Sequence, residues 1–514
     1  MFSAKSKKCI ALILSALMLS SSAVLASCSG SGNTDTPDTS TPATSADAGT
    51  TAAETTEAVT TQDPRALDEL PTDLKDYDGY TFTVLSYDFD ASKITWKIVD
   101  IYTEEENGER VNDAVFARNL KMEERFGVKV QQDLRTDPEA VARQSVNAGD
   151  DFALFQGLVQ KLSGMAIQGL MLDMKKMEYI NPDKVWWDKT ANDALELMGR
   201  SYYLIGDSQI NAKRATWTVL FNKKLVADAG VPNPYDAVKS GKWTLDLLEE
   251  YSRKIAKDAN GDGEMKWGED VFGLALQNEI VLPLMLGTGE TIIKIHEDGT
   301  YEYDLGSERN MAILERVWKL LNTDNSYIIN CNDYDGMANQ WVEYRALFMA
   351  DQFGFYMCPL GTVPLVGGDM QSDFGILPFP KMFEDQTEYY STFQYNNANG
   401  IAALKNTSDT KRTGLLTEAY TMFAHDTILP AYYDYTLTLR AARDTESGEM
   451  LDIIFARRNL DVSLAFNDMT NIQTLLQQAV TAKSFTFAST EASKRKSFRA
   501  NIEKIVKQVN KIEE

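Results

Sequence analysis

Two kinds of hydrophobic pattern alternate along the chain from about residue 66 to the C-terminus. Short runs of apolar, β-branched and aromatic residues predict strands, whereas apolar positions that recur every three or four residues predict helices. The predicted strands are 80–87, 128–131, 152–155, 217–221, 271–276, 346–349 and 374–377. The predicted helices are 111–126, 138–147, 244–257, 308–321 and a charged amphipathic helix from about Glu491. This order predicts an α/β protein with two lobes, each a mostly parallel sheet covered by helices, and a ligand cleft between the lobes.

Charge and composition argue against several classes of function. The body of roughly 450 residues is long enough for two domains with sizeable cores. The whole chain has a net charge of −24, which argues against binding to nucleic acid or to anionic lipid headgroups. The two histidines, His296 and His425, are far apart in the sequence and neither has other ligand-type residues clustered beside it, so zinc sites and histidine-based triads are poorly supported.

The N-terminus has the pattern of a secretory signal. Three lysines precede an apolar stretch that ends in Leu-Ala-Ser, directly before Cys28. The stretch is shorter than the roughly 18 unbroken apolar residues of a spanning helix. Its end resembles the bacterial lipobox, in which the cysteine receives a lipid and becomes the mature N-terminus. Residues 1–27 are therefore predicted to be a lipoprotein signal peptide, with an ordinary signal and an incidental Cys28 as the alternative.

The next segment, residues 28–65, consists mainly of Thr, Ser, Ala, Gly, Pro and Asp. Such a segment buries too little apolar surface to offset its ordering entropy, so it is predicted to be a disordered tether. An O-glycosylated stalk has the same composition and the same spacing role. Removal of residues 1–27 takes away three lysines and no acid, so the mature chain has a net charge of −27.

Two cysteines remain in the body, Cys331 and Cys358. An extracellular location permits a disulfide between them. Their spacing does not decide between a disulfide and two separate buried thiols.

Several segments resemble one family along nearly the whole body. They are VNDAVFARNLKMEERFGVKV (111–130), VWWD (185–188), LFNKKLVADAGVPNPYD (220–236), DFGILPFPK (373–381) and LPAYYDYTLTLRAARDTESGEMLDIIF (429–455). Together they resemble the extracellular solute-binding proteins that deliver sugars to ABC importers, in particular the large lipoprotein forms of Gram-positive anaerobes.

The resemblance implies a fold and a set of partners. The fold is that of maltose-binding protein, the type II periplasmic-binding-protein fold, with lobe 1 formed by 66–212 and 397–448 and lobe 2 by 213–396 and 449–514. The partners are a saccharide, the subunits of a membrane permease with a separate ATPase, and the outer face of the cytoplasmic membrane through the lipid on Cys28. The resemblance implies a monomer that binds no nucleic acid and requires no cofactor.

One segment matches the EF-hand loop pattern independently of that resemblance. In DANGDGEMKWGE (258–269), acids or amides occupy positions one, three and five, glycine position six and glutamate position twelve. A structural calcium would have the ligands Asp258, Asn260, Asp262, the backbone carbonyl of Glu264, and Glu269. Lys266 lies at a position that often ligates through water, where a cation is unfavourable. An acidic turn that binds nothing is the alternative.

Saccharide binding requires aromatic faces for sugar rings and amides, carboxylates or arginines for hydroxyl groups. We expect such residues just beyond the carboxyl ends of strands and at the two crossovers between the lobes. The candidates are Tyr87, Gln156, Gln160, Asp207, Gln209, Arg214, Trp217, Gln277, Asn278, Gln352, Phe353, Tyr395, Asn396 and Asn397. The sequence leaves open whether a further set contacts ligand or packs in the core, namely Trp186, Trp187, Tyr432, Tyr433 and Arg440.

Three classes of function follow from these observations. The leading one is a lipid-anchored binding protein that captures an oligosaccharide and breaks no bond. The second is a lipid-anchored glycoside hydrolase, which would need two carboxylates about 5–10 Å apart, although no pair stands out. The third is a binding protein of the same fold for peptides or another solute.

Overall fold

The computed structural model contains the predicted alternation of strands and helices. It describes residues 70, 77, 79–88, 99–149, 152–322, 326–334, 340–438 and 445–513, which belong to one compact unit. The strands are β1 Thr81–Tyr87, β2 Lys129–Arg135, β3 Leu154–Leu158, β4 Trp217–Asn222, β5 Phe272–Leu276, β6 Ile293–Ile295, β7 Tyr301–Tyr303, β8 Ile328–Asn330, β9 Phe353–Pro359, β10 Phe374–Leu377 and β11 Asn399–Ala402. The helices are α1 Arg110–Phe126, α2 Pro138–Ala148, α3 Val159–Ala166, α4 Lys189–Leu195, α5 Ile210–Arg214, α6 Lys223–Asp228, α7 Pro234–Lys239, α8 Leu245–Ile255, α9 Val281–Leu286, α10 Glu308–Asn322, α11 Gln340–Met349, α12 Val363–Gly367, α13 Thr410–Thr438, α14 Thr445–Ala456, α15 Val462–Ala465, α16 Asn467–Thr470, α17 Ile472–Thr481 and α18 Phe487–Glu513.

The first sheet has the strand order β11-β3-β1-β2. Strand β1 runs parallel to β2 and β3, whereas β11 runs antiparallel to β3. Phe82 and Val84 of β1 are buried in a cluster with residues of α1 and α13, and Leu85 is buried in a cluster with residues of α2 and α3. Helices therefore cover both faces, which explains why β1 is buried at every position from Val84 onward.

The second sheet has the strand order β10-β4-β9-β5-β8. Strand β4 is antiparallel to its neighbours β9 and β10, whereas β5 is parallel to β8 and β9. Every residue of β5 and β9 is buried, as expected for strands covered on both faces. This pairing places the carboxyl ends of β5, β8, β9 and β10 at the same edge of the sheet as the start of β4.

The chain crosses between the sheets at two places, before β4 and before β11. The two crossovers lie side by side. The backbone N–H of Trp217 donates to the carbonyl of Thr392 over 3.0 Å, and the N–H of Gln394 donates to the carbonyl of Ala215 over 3.0 Å. Thr216 and Phe393 form an antiparallel bridge between these bonds. The two connections therefore form one short hydrogen-bonded ladder.

The C-terminal helices contact both halves of the molecule. Helix α17 packs against α10, and the indole N–H of Trp318 donates to the carbonyl of Ala482 over 2.7 Å. On the other side α16 packs against α3, where the Lys161 ammonium lies 2.7 Å from the Asp468 carboxylate.

One predicted strand is wrong, and the other strands and helices are confirmed. Residues 346–349 form the end of helix α11 rather than a strand, and the following strand, β9, begins only at Phe353. Asp351 has φ of 60°, a left-handed conformation that ends the helical direction of the chain. The run Ala-Leu-Phe-Met is equally apolar in either state, and its length of four residues gives no periodicity that separates them.

Cys331 and Cys358 are two separate free thiols, and both are buried in one hydrophobic cluster. Burial raises the pKa of the Cys358 thiol. The alternative of two buried thiols is therefore the one that the structure has.

Trp186 and Trp187 pack in the core around a buried acid. Their indole N–H groups donate to the two carboxylate oxygens of Glu418, over 2.8 Å and 3.0 Å. Burial raises the pKa of Glu418 from 4.5 to about 7, while the hydrogen bonds from the Asn181 backbone and the two indoles oppose this shift. Neither tryptophan contacts the cleft.

Some predictions concern residues outside the described ranges. These are the signal peptide 1–27, the lipid on Cys28, the tether 28–65 and a ligand role for Arg440. The lobe boundaries at 212/213, 396/397 and 448/449 also stay predictions.

The raised pKa of Glu418 predicts a pH-dependent stability. A carboxyl whose pKa is higher in the folded state stabilises the fold at low pH, and that contribution is lost between pH 4.5 and about 7 as the pH rises. The shift corresponds to a loss of up to about 3 kcal/mol in the free energy of unfolding. In Glu418→Gln this part of the pH dependence should be absent, measured by urea unfolding across that range.

The matched control is Glu250→Gln, which removes an exposed acid paired with Lys254 on α8. It should leave the pH dependence of the wild type unchanged, because exposed ion pairs contribute little. An unchanged pH dependence in Glu418→Gln would contradict the assignment.

Candidate functional site

A pocket lies between the start of α1, the crossover helix α5, α12 and α13. Its volume is about 270 Å³, and we call it the interlobe pocket. The loop after β1 and the start of α1 form one wall, α12 after β9 forms another, and α5 and α13 close the remaining side. The lining residues are Val99, Asn107, Glu109, Val111, Asn112, Arg214, Pro364, Tyr432 and Tyr435.

Arg214 supplies the buried charge of the interlobe pocket. It is the last residue of α5 and is only 8% exposed. Its guanidinium Nη1 lies 3.4 Å from Asn211 Oδ1. Burial lowers the pKa of Arg214, while Tyr432, Tyr435 and Asp100 act in the opposite direction. The group stays protonated, because the ordinary pKa of arginine lies far above neutral pH.

A buried polar network lies behind Arg214. Gln156 Nε2 donates to Asp100 Oδ1 over 3.0 Å, and Arg118 Nη1 donates to the Asp100 carbonyl over 2.9 Å. The Arg118 guanidinium also stacks on the ring of Tyr420, 3.9 Å from its centroid. Burial raises the pKa of Asp100 to about 6, opposed chiefly by the hydrogen bond from Gln156 and the charge of Arg118. Above that pH the Asp100 carboxylate is negatively charged and therefore stabilises the positive charge of Arg214.

The tyrosines and the start of α1 complete the lining. Tyr432 and Tyr435 are three positions apart on α13, so that they lie on the same face of the helix. Glu109 is the N-cap of α1, and its carboxylate accepts the backbone N–H of Asn112 over 2.8 Å. Aromatic rings, an amide, a carboxylate and a guanidinium are the groups that bind the faces and hydroxyls of a sugar.

Only Arg214 of the predicted ligand residues lines this pocket, and Gln156 lies directly behind it. Gln160 lies instead in a larger groove between α2 and α3 on one side and α16 and α18 on the other. That groove has no aromatic side chain in its lining. We therefore take the interlobe pocket as the primary site.

Two predicted residues of the first crossover have structural partners. The Asp207 carboxylate lies 3.0 Å from the Lys213 ammonium and 2.6 Å from His425 Nδ1. Gln209 is fully buried, and its Oε1 accepts the backbone N–H of Gly206 over 2.8 Å. Both side chains stabilise the turn that leads into α5.

Several predicted aromatic residues belong to the core. Trp217 is 1% exposed and packs edge-on against Phe379 with ring centroids 6.1 Å apart, and its role at the cleft stays a prediction. Tyr395 is also 1% exposed, and its hydroxyl accepts the backbone N–H of Asp461 over 2.7 Å. Tyr87, the last residue of β1, is buried as well. Large aromatic side chains at strand ends tend to be buried in the core, because burial of each one removes much apolar surface from water.

The polar residues of the second crossover and of β5 lie away from the pocket. Asn396 is exposed, and Asn397 Nδ2 donates to Gln394 Oε1 over 2.8 Å. Gln277 follows β5 and is buried, and Asn278 donates its backbone N–H to Asn332 Oδ1 over 2.8 Å. Neither Gln277 nor Asn278 lines the interlobe pocket.

Gln352 and Phe353 are at the opposite end of the second sheet from the crossovers. They precede and begin β9, whereas the prediction placed them after a strand at 346–349. Gln352 Nε2 donates to the carbonyl of Gly268 over 3.1 Å, and Phe353 is fully buried. Their predicted position at the cleft is wrong because the preceding segment is a helix.

The candidates from the sequence did not include seven of the lining residues, namely Val99, Asn107, Glu109, Val111, Asn112, Pro364 and Tyr435. One of them had a sequence signal. Tyr435 is spaced three residues from Tyr432, which places both on one face of α13.

The EF-hand-like loop has the turn geometry of its pattern, with Gly263 at φ of 84°. The Asp258 carboxylate accepts the backbone N–H groups of Gly261 and Gly263 over 2.7 Å each. The Lys266 ammonium lies 2.7 Å from the Asp262 carboxylate and 2.8 Å from that of Glu264. Among the described residues, no three His, Cys, Asp or Glu side chains are grouped closely enough to hold a metal ion. Calcium binding by this loop stays a prediction.

Comparison with known proteins gives the fold. No protein-family model and no curated protein matches the chain. A sugar transporter of Rhizobium etli, solved in an open conformation, is 16% identical with a TM-score of 0.55 over 84% of this chain and 99% of its own. An ABC substrate-binding protein of Listeria monocytogenes, solved with cycloalternan, is 17% identical with a TM-score of 0.51 over 84% of this chain and 100% of its own. The GacH receptor of Streptomyces glaucescens, solved unliganded and with acarbose, is 12% identical with a TM-score of 0.50 over 82% and 99%.

These similarities confirm the predicted fold class. The chain has the two-lobed α/β fold of type II periplasmic binding proteins, and its structural neighbours include sugar-binding proteins of ABC transporters. Within the described part of the chain, no helix is both long and apolar enough to cross a membrane.

The position of Lys266 generates a prediction about calcium. If the loop binds calcium, the ion has to displace an ammonium group that two carboxylates hold. Lys266→Gln removes this competitor and should raise the affinity for divalent and trivalent cations, measured by terbium luminescence sensitised through Trp267 in the same loop. Lys254→Gln on α8, which removes a comparable lysine outside the loop, should leave the emission as in the wild type.

Absence of terbium emission in both Lys266→Gln and the wild type would contradict the calcium prediction. Emission that persists in Asp258→Asn would place the ion elsewhere.

Proposed function

We propose that this protein is the extracellular substrate-binding component of an ABC importer for carbohydrate. It captures an oligosaccharide in the cleft between its lobes, breaks no bond, and delivers the sugar to permease subunits that a separate ATPase drives. The lipid on Cys28 holds it at the outer face of the cytoplasmic membrane. Residues 28–65 are a tether that lets the folded body extend away from the membrane and contact the transporter. The tether raises the effective concentration of the protein at its transporter.

One observation carries this proposal. The interlobe pocket combines the buried guanidinium of Arg214 with the rings of Tyr432 and Tyr435 at the crossover between two sheets. A guanidinium donates hydrogen bonds to sugar hydroxyls, and an aromatic ring packs against the apolar face of a pyranose. In an open α/β fold, ligands bind at the carboxyl ends of strands where the chain changes direction.

The fold also supports the proposal. Two proteins of this fold have been solved in complex with saccharides, one with cycloalternan and the other with acarbose. The acidic surface of the mature chain favours an uncharged ligand over an anionic one.

The proposal predicts stabilisation by a neutral oligosaccharide without turnover. Purified mature protein is screened by thermal shift against neutral plant and host oligosaccharides, and each mixture is then chromatographed for hydrolysis products. Arg214→Ala and Tyr435→Ala should each weaken binding of the best ligand about tenfold or more, because each removes a central contact of the pocket. Arg309→Ala and Tyr390→Ala are the matched controls, since both residues lie outside the pocket lining, and they should bind as the wild type does.

Hydrolysis products would favour the glycoside hydrolase. Stabilisation by a peptide library alone would favour a peptide-binding protein of the same fold. Normal binding by both Arg214→Ala and Tyr435→Ala would contradict the position of the site.

A further inference from the structure

A second polar cavity in the described part of the chain is the groove that contains Gln160. Its volume is about 680 Å³, within the range of small-molecule sites. Helices α2 and α3 form one wall, and α16 and α18 form the other. It shares no lining residue with the interlobe pocket.

Two buried oxygen atoms in this groove have no hydrogen-bond donor. They are Glu139 Oε1 on α2 and Gln508 Oε1 on α18, and neither accepts a hydrogen bond from another described residue. A buried acceptor without a partner costs about 1–3 kcal/mol, so a hydrogen bond from a bound donor would stabilise it. Glu139 and Gln508 line opposite walls of the groove.

The charged residues of the two walls indicate which charge the ligand has. Burial raises the pKa of Glu139, with the charges of Lys161 and Arg143 opposing the shift. The lining balances three acids against three bases, Asp137, Glu139 and Asp468 against Arg143, Lys161 and Lys504. The lining residues therefore have no net charge, so the groove as a whole attracts neither a cation nor an anion, and an uncharged ligand loses no charge hydration on entering it.

Non-polar surface lies between these polar groups. Ile167 and Met469 belong to the lining and offer C–H contacts without an aromatic platform. Gln160 also lines the groove, is 8% exposed, and donates from Nε2 to the carbonyl of Leu464 over 3.3 Å. Amide and carboxylate acceptors beside small apolar patches match the alternation of hydroxyls and C–H groups on a sugar.

We infer that this groove is a second binding site, which takes an uncharged, hydroxyl-rich ligand of the saccharide class. The ligand donates hydroxyl hydrogen bonds to Glu139 and Gln508 and spans from the helices beside the first sheet to the C-terminal helices. This inference stands on the groove alone and does not rest on the function proposed for the interlobe pocket.

Met469 gives a local signal for this site. The mature protein is labelled with ¹³C-methyl methionine, the Met469 resonance is assigned with Met469→Leu, and maltotetraose is titrated as the neutral probe. A saturable shift of the Met469 methyl signal is expected. Glucosamine and glucuronate, the cationic and anionic probes, should produce a much smaller shift at equal concentration.

Two variants identify the groups that bind. Glu139→Ala and Gln508→Ala should each weaken the Met469 titration about fivefold or more, because each loses one acceptor. Gln473→Ala removes an amide on the neighbouring helix α17, outside the groove lining, and should titrate as the wild type does. A Met469 signal that does not move, that responds equally to all three probes, or that is unaffected by both variants would overturn the inference.

The same titration in Arg214→Ala separates the two sites. The Met469 response should persist there, because Arg214 does not line the groove. If Arg214→Ala loses ligand stabilisation but keeps the Met469 methyl shift, the groove is supported as a separate site. If the Met469 methyl signal does not shift while Arg214→Ala still weakens ligand binding, only the interlobe pocket binds saccharide.

Discussion

The two crossovers between the sheets constrain everything else in this molecule. They are hydrogen bonded to each other, from Trp217 to Thr392 and from Gln394 to Ala215, and the ladder continues directly into β4. Arg214 is the last residue of the helix before that ladder, so its guanidinium is held at the junction of both sheets. A shift of either crossover would therefore move the Arg214 guanidinium and would also change the orientation of the two lobes. In a two-lobed fold, this coupling is what allows a ligand between the lobes to change their relative orientation.

The surroundings of Arg214 show how the fold carries a buried charge. An isolated buried cation is costly, and the cost is reduced by opposite charge and by aromatic or hydroxyl neighbours. Asp100 supplies the opposite charge, and Gln156 and Arg118 hold Asp100 in place through their hydrogen bonds. Tyr432 and Tyr435 of α13 line the same pocket and oppose the effect of burial on the pKa of Arg214. The residues proposed to bind the ligand thus also stabilise the buried charge.

The sequence predicts the architecture well and the site poorly, for physical reasons. Periodicity is a local property, so it finds β1, α1 and the strands β4, β5 and β10 of the second sheet to within a few residues, but not β8 or the central β9. It fails at 346–349, where a short apolar run fits the end of a helix as well as a strand. The pocket joins the start of α1, the end of α5 and the far part of α13, which are distant in sequence and are brought together only by packing. Trp217 illustrates the difference, because its residue type suits a sugar site while its position at the start of a fully buried strand places it in the core.

A saccharide is proposed to bind at the junction of α1, α5 and α12. Hydrogen–deuterium exchange with and without the best neutral oligosaccharide tests this position, because it reports protection segment by segment. We expect slower exchange at the start of α1, around Glu109 and Asn112, and at the start of α12, around Pro364, with the EF-hand-like loop unchanged. Protection confined to other segments, with both helix starts exchanging as in the free protein, would contradict it.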